Sequence, residues 1–484
     1  MSRSQLVRVL VAAILAAACG ADLSGPGGGS VVTYVDCTRN VRSVVLSPSA
    51  DSIEIGRGKW LRAVLDGGSP PPGQICTYYA HWSSSDTNVV RVGDGDSHSG
   101  LLVARSPGTA QVEYVLGSAR GTATITVIPV RNSFVSVSAG LEAFALASDG
   151  QVYHVVRGLY LGAVPVPLEG SPRSISLSAG GTGVCGSASD HTWWCGDQNG
   201  AWGVVGTASE HSFILLDAHG DRHWCALNNL GAALCWGENP MGQLGNGSVD
   251  NLPSNVSGGL TFPTLAVGGN HTCGVTADGS TWCWGDNSRG QLGTDSATGS
   301  CAGGTSCQLS PKRVASGHAF VALAAGGSHT CGLTADGSAW CWGWNAFGQL
   351  GTGDFVGGTT PRLVAGDITF AALSAGDRHT CGITSAGALY CWGSGAYGQL
   401  GKDVADNVCG PPMPGYPIEE SGWMGDTGCR ATPGLVPVAG AFTSVSAGQR
   451  QTCGMAGDGA WCWGYLWGPR FSGKGTAVHL SGQP

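Results

Sequence analysis

Past about residue 30 the chain reads as short alternations of apolar and polar residues broken by turn residues, and no long stretch settles into a 3.6-residue period. Between Cys37 and Val130 the runs SVVLSP, KWLRAVL, NVVRV, GLLVA, AQVEYVL and TATITVIPV have the texture of strands with one face buried. About six or seven such strands make a two-sheet sandwich, with Trp82 filling its core. From about residue 131 a second pattern takes over and recurs to the end. An aliphatic run ends in glycine, a second run follows, a tight turn reverses the chain, and a third run is rich in tryptophan. The glycine stands five residues before a recurring cysteine position, at Gly140, Gly180, Gly220, Gly268, Gly326, Gly376 and Gly448, which counts seven repeats.

The most regular copy, HTCGVTADGSTWCWGDNSRGQLG from His271, predicts a hairpin tied across its own strands. Cys273 and Cys283 lie symmetrically about Asp278, and a three-residue loop Ala277-Asp278-Gly279 sets them opposite each other. Gly279 then takes the left-handed position that closes such a turn. Opposed antiparallel positions have Cα atoms about 4.5–5.5 Å apart, within reach of a disulfide. Cys185 with Cys195, Cys225 with Cys235, Cys331 with Cys341, and Cys381 with Cys391 repeat the spacing. Cys453 and Cys462 are one residue closer and face each other across a two-residue Gly457-Asp458 turn. The first copy lacks the pair, with Ala145 and Val155 expected at the two cysteine positions.

Seven units of this kind bury their faces and edges only by closing into a ring, so the expected fold is all-β: a seven-bladed propeller preceded by an Ig-like sandwich. The first repeat has no run ahead of it to match the segments before later repeats, whereas GTAVHLSG, Gly475–Gly482, is left over at the end. The expectation is that this C-terminal strand completes the first blade, and that removing the last twelve residues opens the ring.

Composition narrows the chemistry. Charged residues are 12% of the chain, glycines number 82, and the formal net charge is −8. That balance offers no concentrated basic face for nucleic acid. Arg3 and Arg8, the apolar run Val9 to Ala18, and Cys19 form an export signal too short to span a membrane. LAAAC resembles the lipobox of bacterial lipoproteins, which implies lipidation at Cys19. Ala16-Ala17-Ala18 also suits ordinary signal peptidase, which would leave the chain secreted. Of the 19 cysteines, removing Cys19 leaves an even set, including Cys37 with Cys76, Cys301 with Cys307, and Cys409 with Cys429. An even set of near neighbours suggests disulfides in an oxidising compartment. The expected domains are a signal peptide at 1–19, a Gly-rich linker at 20–36, the sandwich at 37–130 and the propeller at 131–484.

Two resemblances rest on these residues. The segment from VVLSPSADSIEIGRGKWLRAVLDG through WSSSDTNVVRVGDG to TATITVIPV resembles the bacterial Ig-like domain, group 2, which implies a spacer or adhesion module. TCGVTADGSTWCWGDNSRGQLG, with GQLG at Gly242, Gly290, Gly348 and Gly398, resembles the regulator of chromosome condensation repeat family in its secreted bacterial form. That resemblance implies a seven-bladed propeller. The eukaryotic founder exchanges nucleotide on a small GTPase and binds chromatin, but no basic arm or wedge for that work is present here. A secreted propeller of this kind also resembles beta-lactamase inhibitory proteins.

No catalytic motif emerges. His223, His271, His329 and His379 precede their cysteines by two residues. On separate blades they would radiate from the axis rather than share a metal ion, so hydrogen bonding within each blade is expected. Trp282, Trp284, Trp340, Trp342, Trp392, Trp461 and Trp463 are expected to pack between blades. Asp94 and Asp96 lack the further ligands of a calcium loop, and GPRFSGKG has no helix to follow it as a phosphate loop needs. No cofactor and no metal is expected. The Pro-rich loop closed by Cys409 and Cys429 carries Tyr416, Glu419, Glu420, Trp423, Met424 and Asp426, a composition suited to an interface. Together these features predict a non-enzymatic lipoprotein of the bacterial cell envelope that binds a protein or glycan at the cell surface.

Overall fold

The computed structural model describes residues 33–36, 41–54, 57–67, 74–77, 80–94, 99–128, 133–158, 162–168, 171–180, 183–188, 192–197, 202–206, 213–218, 223–295, 299–301, 304–401, 409, 428–438, 440–465 and 478–480. Their regular elements are all strands. Two four-stranded sheets form the sandwich. One orders Val41–Ser47, Gly58–Gly67, Ser99–Ala104 and Val90–Asp94; the other orders Ala50–Glu54, Ala119–Ile128, Gly108–Leu116 and Ala80–Ser84. The alternation of sequence becomes an alternation of burial: in Ala119–Ile128 every second residue is buried. Leu46, Leu61 and Leu102 from one sheet meet Val112, Tyr114 and Ile125 from the other, and Trp82 sits edge-on to Tyr114 with ring centroids 4.7 Å apart. Thr33–Asp36, within the segment read as linker, pairs in parallel with Gln74–Thr77.

Seven further sheets follow in chain order, spanning 134–167, 176–206, 213–255, 264–313, 320–363, 372–435 and 442–479. Each is an antiparallel meander whose first strand lies nearest its neighbours' first strands, the arrangement of blades about an axis. Blade four carries an extra short strand, Gly299–Ser300, hairpinned onto Ser306–Arg313 beside the Cys301–Cys307 disulfide. Cys273 faces Cys283 in register, as do Cys185 and Cys195, Cys225 and Cys235, Cys331 and Cys341, Cys381 and Cys391, and Cys453 and Cys462. All six pairs are disulfides with Cα atoms 4.0–4.2 Å apart. Gly279 has φ of 80°, the left-handed value its turn requires.

Blade boundaries are the core of the ring. The Cys273–Cys283 disulfide of blade four lies under Phe320 and Trp342 of blade five, and Cys331–Cys341 under Phe370 and Trp392 of blade six. Cys381–Cys391 lies under Phe442 and Trp463 of blade seven. Each disulfide therefore presents an apolar surface to the aromatic pair of the next blade. Blade one departs from the expected alignment by one residue. Phe144 and His154, not Ala145 and Val155, face each other at the cysteine positions, and their rings stack with centroids 5.2 Å apart. The turn after Gly140 is shorter by one residue, and such a slip moves every following side chain to the other face. Ala145 and Val155 consequently pack against the Cys453–Cys462 disulfide of blade seven.

Ring closure also differs from expectation. Val478–His479 pairs with Gly459–Gly464, completing blade seven, while Gly162–Pro167 supplies blade one with its own fourth strand. Among the described residues no blade is shared between the chain ends. What closes the ring is a relay of backbone hydrogen bonds near the axis. Gly269 N–H donates to Gly326 O, Gly327 to Gly376 O, Asp377 to Gly448 O and Gln449 to Gly140 O, at 3.1, 3.1, 3.2 and 2.8 Å. The last of these joins blade seven to blade one in the same geometry as its predecessors. Truncation of the last twelve residues therefore removes an edge strand and leaves the relay in place.

The sandwich is docked on blade one. Leu101 and Val103 pack on Val156 and Val166, and the Arg57 guanidinium lies over the rings of Phe134 and Tyr153 at 3.8 and 4.7 Å. Burial lowers the pKa of Arg57 and raises that of Tyr153. A guanidinium held this way keeps its Glu54 partner at 3.7 Å and its aromatic contacts together.

Candidate protein-binding face

Strand direction divides the ring into two faces. The second strand of a blade starts at the turn after the recurring glycine and ends at the hairpin tip, so tips such as Asp278 and Asp336 lie on one face. The GQLG loops, between third and fourth strands, lie with the axial turns on the other.

At the tips, Asp278 accepts hydrogen bonds from Thr276 Oγ1 at 2.5 Å, Ser280 N at 3.1 Å and Ser280 Oγ at 2.9 Å. These bonds favour the carboxylate and hold its pKa at about 2. Asp336 is lowered by the same set from Thr334 and Ser338. On blade five, the hydrogen bonds and charge of Arg362 bring Asp354 to about 2. A folded-state pKa below the unfolded value near 3.9 gives stability that is present above that value and lost as pH falls through the folded one. The urea midpoint should thus fall between about pH 4 and about pH 2, and fall less in an Asp278→Asn, Asp336→Asn, Asp354→Asn variant.

On the opposite face the repeat builds a connected network. His271 Nε2 bonds Thr330 Oγ1 of the next blade at 2.9 Å, and Thr330 Oγ1 donates to Gln291 O at 2.8 Å. Trp342 Nε1 donates to the same carbonyl at 3.0 Å. The single hydroxyl proton of Thr330 is committed to that carbonyl, so His271 must be the donor and its proton is on Nε2. The unit recurs with His223 and Thr272, His329 and Thr380, and His379 and Thr452, at 2.8–2.9 Å. The expected histidine bonds are therefore real but run between blades rather than within them. The other three boundaries lack the unit, as their sequence dictates: blade two has Gly183 at the histidine position and blade three Trp224 at the threonine position. Blade one has Ala143 at the threonine position, and blade seven answers with Gln451, whose longer amide reaches Gly140 O at 3.1 Å. Blade one has Glu142 at the histidine position, and it turns to His154 of its own blade at 2.8 Å.

The GQLG glutamine links this network to the surface. While its carbonyl ties the next blade, its side-chain Oε1 accepts the backbone N–H of the residue before GQLG: Met241, Arg289, Phe347 and Tyr397, at 2.7–2.9 Å. Those four residues are fixed in place and half exposed. Around them lie the residues of the axial turns. Arg289 lies over Trp344 at 5.6 Å, and Arg378 over Trp344 and Phe347 at 5.7 and 5.0 Å. Arg450 lies over Tyr397 at 4.9 Å. Trp344 meets Phe347 edge-on at 5.2 Å, and Tyr397 meets Tyr465 at 5.5 Å. One guanidinium thus sits on an aromatic ring at each of three successive boundaries, between blades four and five, five and six, and six and seven.

The interface expected from the sequence is the Pro-rich loop. Tyr416, Glu419, Glu420, Trp423, Met424, Asp426, Cys19 and Cys37 lie outside the described residues, as does the side chain of Cys76. At the ends of the Pro-rich loop, Cys409 is bonded to Cys429, which begins the fourth strand of blade six on the GQLG face. Trp284, Trp342, Trp392 and Trp463 are buried between blades as expected; Trp282, Trp340 and Trp461, on the same third strands, are partly buried against the clusters between blades. The signal for the aromatic face was the residue before each GQLG and the arginine before two of the Thr-Cys motifs. Among the described residues no three His, Cys, Asp or Glu side chains converge to hold a metal ion.

Residues 264–291, 320–349 and 370–399, and in a second form 278–333 and 336–383, match the Regulator of chromosome condensation (RCC1) repeat. These matches fall on blades four to six. No curated protein sequence matches it. Among solved structures, Prp20p of Saccharomyces cerevisiae, described with its binding to Gsp1p and histones, is 19% identical. The alignment covers 65% of this chain and 80% of that one with a TM-score of 0.52. Human WBSCR16 is 17% identical over 69% of this chain and 89% of its own, with a TM-score of 0.54. At these identities the likeness is one of fold.

Proposed function

We propose that this chain is a non-enzymatic, exported binding protein whose GQLG face docks a protein partner at the bacterial cell envelope. The observation that carries the reading is the run of ring-stacked arginines from Arg289 to Arg450. Aromatic residues and arginine dominate protein-binding hot spots, and groups already fixed in the free protein lose little entropy on docking. The disulfides suit an oxidising compartment, and Cys19 is the residue for lipid attachment. With its Arg57 clamp on blade one, the sandwich serves as a fixed extension that holds the ring away from an anchor.

The test is affinity capture by the oxidised full chain from envelope extract, wild type against Trp344→Ala/Phe347→Ala. A partner retained by the wild type and lost by the double variant supports the face. Equal retention by both overturns it. Point changes are preferable to excising the Pro-rich loop, because the fourth strand of blade six, Cys429–Leu435, starts where that loop ends.

A further inference from the structure

We propose that the GQLG face takes an acidic peptide segment, with Arg378 and Arg450 gripping carboxylates while Trp344, Phe347 and Tyr397 hold the apolar side chains between them. The inference rests on the reading above and adds the chemistry of the partner. The chain as a whole is acidic, with 32 Asp and Glu against 24 Lys and Arg. A carboxylate-bearing partner is therefore repelled by much of the surface and attracted where the local sign reverses.

The reversal occurs here. Arg450 is exposed, stands over Tyr397, and has no carboxylate within ion-pair distance among the described residues. Among the described residues Arg378 pairs only with the neighbouring Asp377 on its own turn, at 3.2 Å, and lies over two rings. A guanidinium over an aromatic face is held by the ring quadrupole, and its planar N–H fork is still able to meet a carboxylate with two parallel hydrogen bonds.

The spacing argues for a peptide over a polyanion. Cations occur once at each of these three boundaries and alternate with aromatic rings, a pattern that matches acidic residues interspersed with apolar ones. A nucleic-acid track needs a denser array of cations to displace the counterions of each phosphate.

The probe is a dye-labelled peptide alternating glutamate with leucine, titrated by fluorescence anisotropy onto the oxidised full chain. Its glutamine counterpart and a single-stranded oligonucleotide serve as comparisons. The glutamate peptide should bind, weaken as salt rises, and bind at least about tenfold less to Arg378→Gln/Arg450→Gln. Arg378→Lys/Arg450→Lys, which keeps the charge and loses the planar fork, should fall between. Circular dichroism of each variant checks that the ring is intact. Equal binding of the glutamine peptide, no loss in the glutamine variant, or an oligonucleotide affinity matching the peptide's each overturns the proposal. If the envelope capture still depends on Trp344 and Phe347 while the glutamate peptide fails, the acidic chemistry is wrong and the face stands. If both fail, the face itself is wrong.

Discussion

Reducing the disulfides should unfold the propeller in urea at concentrations that leave the oxidised chain intact. Six cross-strand disulfides each close a short loop, and a loop of this size restricts the unfolded chain by about 2–3 kcal/mol. Together they rival the whole stability of an ordinary domain, about 5–15 kcal/mol. Their packing adds to this, since the sulfurs of Cys273, Cys331 and Cys381 are fully buried beneath the aromatic pair of the next blade. Breaking one bond loosens two blades. The measurement is a pair of urea titrations followed by tryptophan fluorescence, with and without reductant. A midpoint unchanged by reductant would show that the blades hold without their staples.

A single methyl group at the axis should cost nearly as much as a lost staple. A Cβ on Gly326 would stand 2.4 Å from Gly376 O of the next blade and 2.3 Å from the Cε1 of His329. Neither can give way freely. The carbonyl accepts from Gly327 N in the axial relay, and His329 is bonded through Nε2 to Thr380. Overpacking of this kind costs about 1–3 kcal/mol, and a backbone obstacle on a rigid ring places Gly326→Ala near the top of that range. The same change at Gly317, which has no neighbour within 4 Å of its Cβ position, is the control. Comparable urea midpoints for the two variants would contradict the close approach of blades at the axis.

The recurrence of this glycine was plain in the sequence, and so was the hairpin it introduces. Seven copies, opposed cysteines and a left-handed Gly279 follow from local spacing alone, because turn geometry acts over a few residues. The errors came where spacing changed. A turn one residue shorter after Gly140 shifted the first copy, so Phe144 and His154 replaced the disulfide, and counting from the glycine led to Ala145 instead. Closure was misread because the pattern of runs gives no sign of which blade a terminal strand joins. That is decided by the pairing of Trp461 with His479.

The face was legible only in pieces. Arg378 and Arg450 belong to axial turns, while Trp344, Phe347 and Tyr397 belong to GQLG loops of other blades, so no local motif contains the stack. Ring packing brings them together, and the glutamine of GQLG does so twice over. Gln349 orients Phe347 through its side chain and receives Thr380 and Trp392 through its carbonyl. The same residue that assembles the ring therefore presents its surface.

Photocrosslinking locates the docking face most directly. A light-activated phenylalanine analogue is placed at Phe347 in one full-length chain and at Asp278, on the opposite face, in another, and both are irradiated during the envelope capture. Crosslinked partner from the first position and none from the second is the expected result. Crosslinks from the Asp278 tip alone would place docking on the other side of the ring and contradict the account.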